Sequence, residues 1–161
     1  MMQAPTHALT GIFLLVLFQV IFTNSPLWVQ FLVVFPLAFA SHFLGDASSI
    51  ITYHPPKADW KDWFWVSYHL IICILTILIV MIFWTEYWWV MIAVNLVDIV
   101  DWLILRAIFR KKPVFHQIAD KLRSILYKNT PNWNYKRWTV VFEFIIMGIL
   151  LTLILLLRWL K

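Results

Sequence analysis

A few polar side chains interrupt long apolar stretches at spacings that suit metal chemistry. His42 and Asp46 stand four apart in "FASHFLGDAS" (39–48), so on a helix they project from one face. Asp98 and Asp101 in "NLVDIVDW" are three apart, roughly 60° around a helix axis. His7 and His69 lie near the starts of two other apolar stretches, and Glu143 sits early in the last one. An ionised carboxylate in an apolar segment costs a few kcal/mol unless it is paired or bound. Two on one helix repel unless a proton or a cation lies between them. Imidazole nitrogens and carboxylate oxygens are the ligands that Zn and Mn accept. The expected metal ligands are therefore His7, His42, Asp46, His69, Asp98 and Asp101. Asp98 and Glu143 are the expected catalytic carboxylates, with Glu143 as general base or as a partner that orients a ligand.

The elements that must position these groups follow from composition. Hydrophobic residues make up 63% of the 161-residue chain and charged residues only 13%. A soluble domain of this size could not hide so much apolar surface. The expected class is an all-α integral membrane protein of one domain. Its five transmembrane helices should run over about 6–23, 27–45, 63–84, 87–105 and 138–157. "TNSP" and "TE" are the expected tight links between helices one and two and between three and four. Pro36 is expected to bend helix two and help aim its end. The stretch after "MMQAPTHALTG" has neither a basic leader nor a small-residue cleavage site, so it reads as a mature helix. One cysteine, Cys73, leaves the redox compartment unread.

The net charge of +5 invites a nucleic-acid reading. The distribution argues for membrane orientation instead. Arg106, Arg110, Lys111, Lys112, Lys121, Arg123, Lys128, Lys136 and Arg137 crowd the link 106–137, and Lys57 and Lys61 the link after helix two. With five crossings both links share one side, which should be cytoplasmic. The N-terminus is then inside and the C-terminus, with Arg158 and Lys161, outside. Within the basic link, "PVFHQIADKLRSILYK" reads as an amphipathic helix lying in the membrane plane. Phe115, Ile118, Leu122, Ile125 and Leu126 form its apolar stripe, while His116, Asp120, Lys121, Arg123 and Lys128 avoid it. Arg106, Arg110, Lys111 and Lys112 are candidates for anionic lipid headgroups, although orientation charge explains them equally simply.

The alternation of helices puts the histidines, and every acid except Glu86, at one end of the bundle. His54, His116 and Asp120 join that end without an assigned role. Asp59 and Asp62 read as solvated beside Lys57 and Lys61.

"THALTG" (6–11) opening one membrane helix and "SHFLGD" (41–46) closing the next resemble the membrane-bound metal-dependent hydrolases, the family of the LexA-regulated inner-membrane protein. The resemblance covers His7, His42 and Asp46. It implies a small multi-helix protein of a bacterial inner membrane that hydrolyses a substrate with a metal ion. The family's D-x-D-H and H-R-x-x-x-H segments are absent, and "NLVDIVDW" keeps two aspartates without the histidine. The expected activity is hydrolysis of an ester or phosphoester, of lipid or interfacial origin, at the cytoplasmic face. Two rivals are a non-catalytic protein whose polar cluster holds the helices together, and an ion or proton carrier.

Overall fold

The computed structural model describes residues 3–55 and 60–160. Lys57, Asp59 and Lys161 lie outside the described residues. The architecture is all-helical: α1 (Ala4–Ile21), α2 (Leu27–Ser48), α3 (Trp63–Asp98), α4 (Phe115–Leu126) and α5 (Val140–Trp159). A wider π-helical segment, Ile99–Ile108, continues α3. Among the described residues four helical stretches are long and apolar enough to cross a bilayer: Ala4–Ile21, Leu27–Ile51, Trp63–Ile108 and Arg137–Trp159. Each is apolar nearly all round, as lipid-facing helices are. Leu70, Ile74, Met81, Ile149 and Leu156 face outward and stay exposed.

Helix α3 departs from the sequence expectation. "TE" is not a loop, since every residue of Trp63–Asp98 is helical. Yet its contacts exclude one straight rod. A straight helix would separate Tyr68 from Asp98 by about 45 Å. Tyr68 packs on Phe144 of α5, and the neighbouring Glu143 accepts the Thr6 hydroxyl of α1. The next residue, His7, stacks on His42 at 3.9 Å, and His42 lies 3.8 Å from Asp98. Both ends of α3 therefore meet the N-terminal end of α1. The helix folds back near Glu86, which Arg158 holds at 3.3 Å from the far end of α5. Arg137, at the near end of that stretch, pairs with Asp62 at 3.0 Å. Asp62 also caps α3, accepting the backbone N–H groups of Phe64 and Trp65.

Helix α1 runs through the centre, packed on α2, on both arms of α3 and on α5. Ile12, Val16, Val34, Ala38, Val90 and Val94 are fully buried there. Gly11 lets backbones approach. A methyl group on it would lie 3.0 Å from the Val90 carbonyl oxygen and 3.1 Å from the Val94 side chain.

Helix α4 presents an unexpected side to the bundle. Its buried residues are His116 and Ala119, and Arg123 follows on the same side. Arg123 donates to the Asp46 carbonyl (2.7 Å) and the Ser49 hydroxyl (3.0 Å). Its charge thus sits at the C-terminal end of α2, where a cation is favoured. Ile118, Ile125 and Leu126 point outward. The apolar stripe read from the sequence is thus split: these three residues face away from the core, while Phe115 packs on Phe39 and Phe43 of α2.

Candidate metal centre

Four helices deliver five residues to one buried point. His7 comes from the first turns of α1, and His42 and Asp46 from the last turns of α2. Asp98 ends α3, and His116 opens α4. His7, His42 and Asp46 are essentially inaccessible, and His116 nearly so. Three imidazole Nε2 atoms bracket the two carboxylates. His7 lies 3.3 Å and His42 3.4 Å from Asp46, and His42 is 3.8 Å from Asp98. His116 lies 3.5 Å from Asp46 and 3.1 Å from Asp98. Good hydrogen bonds are mostly shorter than this. Ligand atoms about 2.0–2.1 Å from a tetrahedral ion are separated by roughly 3.3 Å, which these contacts straddle. In two triads, His7/His42/Asp98 and His42/Asp46/His116, one ligand atom per residue lies within 4.8 Å of the others.

The lone pairs are aimed. His42 Nδ1 donates to the Val94 carbonyl at 2.8 Å, which leaves Nε2 facing the carboxylates. That Nε2 is buried and makes no hydrogen bond. His116 Nδ1 meets Asp101 Oδ2 at 2.7 Å. Asp101 also accepts the backbone N–H groups of Val114 (2.9 Å) and His116 (2.7 Å). His116 Nε2 lies 3.1 Å from both Trp102 Nε1 and Asp98 Oδ1, so it accepts from the indole when the imidazole is neutral at this nitrogen and donates to Asp98 when it is protonated there. Burial disfavours charge on His116, but its hydrogen bonds to Asp98 and Asp101 hold the imidazole above the ordinary histidine value. The pocket favours positive charge at this point, as proton or as metal. Two carboxylates and three imidazoles form a donor set that fits a divalent first-row ion.

The site therefore differs from the expected ligand set in three ways. Asp101 is spent on His116 and the α4 N-terminus, and it orients a ligand without facing the cluster. His69 is absent from the cluster. It donates Nδ1 to the Trp65 carbonyl (2.8 Å) and stacks on that indole, on the opposite arm of α3. Glu143 is fully buried, but it accepts the Thr6 hydroxyl and, at 3.4 Å, the Gln3 N–H. It sits over the N-terminus of α1, where a carboxylate is favoured, and none of its hydrogen bonds reaches the five-residue cluster. His116 was the residue sequence reasoning left unassigned. Its one signal was the i, i+4 spacing with Asp120, and Asp120 itself points outward to Arg123.

No protein-family model matches the chain, and neither a curated protein nor a solved structure does.

Proposed function

We propose that this chain is a membrane-embedded, metal-dependent hydrolase acting on an ester or phosphoester at the membrane interface. The supporting observation is the convergence of three imidazole Nε2 atoms and two carboxylates from four helices on one buried point. His7, His42, Asp46, Asp98 and His116 would hold a divalent ion such as Zn or Mn. Such an ion supplies Lewis acidity and a bound water of lowered pKa. The chain's own groups do the positioning. The Val94 carbonyl fixes His42, and Asp101 fixes His116. Asp98 has 26% of its side chain exposed, against 8% or less for the other four. It is thus the carboxylate that a substrate meets first, and we assign the general-base role to it in place of Glu143.

The fold-back of α3 supports five crossings, with α4 lying at the interface on the end that carries the cluster. The basic residues of the link 106–137 share that end, so it is assigned to the cytoplasm, with the N-terminus inside and the C-terminus outside. Placement in a bacterial inner membrane rests on the "THALTG" and "SHFLGD" resemblance.

One observation favours a structural reading: Trp102 already occupies the His116 lone pair. A transport reading has less support. The other end of the bundle carries the Glu86–Arg158 pair, the Gln19–Gln30 hydrogen bond and the polar residues Thr23, Asn24 and Ser25, and among the described residues no acidic or imidazole track leads there. The deciding experiment is elemental mass spectrometry on untagged protein in detergent, beside the His42→Ala, Asp46→Ala double variant. About one or two equivalents of a transition metal, lost in the variant, are expected. No metal in either protein after reloading with Zn or Mn sinks the hydrolase.

A further inference from the structure

The basic residues at this end of the molecule are not equivalent. Arg123 pairs with Asp120 at 3.1 Å, Arg137 with Asp62 at 3.0 Å, and at the other end Arg158 with Glu86 at 3.3 Å. Arg106, Arg110, Lys111 and Lys112 differ. Together with Pro113 they line an open concavity of about 510 Å³, and among the described residues no carboxylate forms an ion pair with any of them. The acid closest along the chain, Asp101, is already taken by His116 and Val114. Four cations around one hollow repel one another, and a bound anion relieves that repulsion. Charges that served only to orient the chain would need no hollow.

The backbone holds this arrangement at a cost. Arg110 has φ 54°, the left-handed region that favours glycine. The turn is closed by Lys111 N–H donating to the Leu105 carbonyl at 2.8 Å. A left-handed residue closed by such a bond is a common way to end a helix, and here the residue in that place is a cation where glycine would be unstrained. The concavity also adjoins the metal centre. The Arg106 guanidinium lies 4.8 Å from the centre of the Trp102 ring, and that ring lies 5.0 Å from His116.

We propose that Arg106, Arg110, Lys111 and Lys112 form a phosphate-binding subsite. It would hold the phosphate of an amphiphilic phosphoester beside the His/Asp cluster. The assignment of that phosphoester as substrate rests on the hydrolase reading; the binding does not. A guanidinium and ammonium cradle suits a phosphate diester better than a neutral ester.

Calorimetry on the full chain in non-ionic detergent tests this, with dihexanoyl phosphatidylglycerol, the neutral ester dihexanoylglycerol and inorganic phosphate as probes. Three variants are compared with wild type: Arg110→Gly; the quadruple Arg106→Gln, Arg110→Gly, Lys111→Gln, Lys112→Gln; and a control, Lys121→Gln, Lys128→Gln, Lys136→Gln. The control removes positive charge from the same side of the bundle. Phosphatidylglycerol affinity should fall at least tenfold in the quadruple variant and less than twofold in the control. Arg110→Gly relaxes the backbone, so its thermal midpoint should hold or rise while affinity falls severalfold. That combination separates a binding role from a structural one even if the quadruple variant fails to fold. Competition by inorganic phosphate assigns the site to a soluble phosphate, and its absence to a lipid headgroup. Either result supports a phosphate site. Equal losses in the quadruple variant and the control overturn it, as does dihexanoylglycerol, which lacks the phosphate, binding as tightly as phosphatidylglycerol. All titrations are repeated after exhaustive chelation. Binding that survives chelation leaves the subsite standing even if the metal reading fails, and metal without phosphate binding does the reverse.

Discussion

Adjacent residues of α1 serve two buried carboxylate centres that are built on opposite principles. Thr6 turns to Glu143, and His7 to Asp46. Around Glu143 the protein supplies protons: a hydroxyl and a backbone N–H point at one carboxylate oxygen. Around Asp46 it gathers imidazoles: Nε2 atoms of His7, His42 and His116 surround it, with a second carboxylate, Asp98, beside them. The donors satisfy Glu143 Oε1, while its Oε2 is buried without a hydrogen bond. Imidazoles and carboxylates gathered together form a donor set that a cation could complete. Two acids of similar burial thus take different roles, and their immediate partners decide which.

The sharpest way to break this comparison is to remove one acid at a time. Asp46→Ala should weaken Zn binding by about a thousandfold or more in competition with a chelating dye. Glu143→Gln should change it less than about threefold while lowering stability by about 1–3 kcal/mol, from the altered cap on α1. A Glu143 variant that loses metal would merge the two centres and return that residue to the site. Asp101→Asn comes next. It keeps the shape but weakens the bond that orients His116, so Zn affinity should drop about 10–100-fold. No change would mean that His116 is not a ligand. Trp102→Phe removes the indole donor competing for His116 Nε2, and Zn affinity should rise a few-fold. A fall would show that the indole supports the bound state.

The smallest effect is read on the Glu143 side. His54 Nδ1 faces the Gln3 side-chain amide at 3.2 Å, and burial pushes its imidazole down to about 3. Folded protein then keeps His54 neutral while the unfolded chain takes up a proton below about pH 6.5. That group's contribution should leave stability flat above pH 6.5 and erode it between pH 6.5 and 3. The slope is at most about 1.4 kcal/mol per pH unit. In thermal melts His54→Gln should lose less stability than wild type over that window. Parallel curves for the two proteins would sink this assignment.

The sequence was most informative where apolar length and charge spacing act locally. The membrane-length helices and the convergence of His7, His42, Asp46 and Asp98 could be read from periodicity, because alternating helices bring alternate ends together. Three features could not. His69 lies near the start of one apolar run and Asp98 near the end of another, but which arm of α3 meets α1 and α2 is settled by packing at Gly11, Val90 and Val94. Asp101 reads as a ligand by its spacing from Asp98. Its capture by the N–H groups of Val114 and His116 depends on how the link 109–114 returns. His116 lies on the polar side of an amphipathic pattern, and patterning alone treats that side as solvated. The side was in fact turned inward, with Arg123 bound to the end of α2.

Gly11 touches none of the candidate ligands, yet it sets their spacing. Its missing side chain lets α1 rest against the Val90 carbonyl, which, as backbone, cannot swing aside. The same stretch of α3 carries the Val94 carbonyl that orients His42, and one turn further on, Asp98. The distance from His7 to its partners on α3 is therefore gauged one turn away, by a contact between two backbones. A single added methyl there would act as a shim between helices, widening the cage while leaving every ligand in the chain. If the cluster holds an ion, selectivity by radius would have a control point in the packing of the bundle, separate from the residues that would grip the ion.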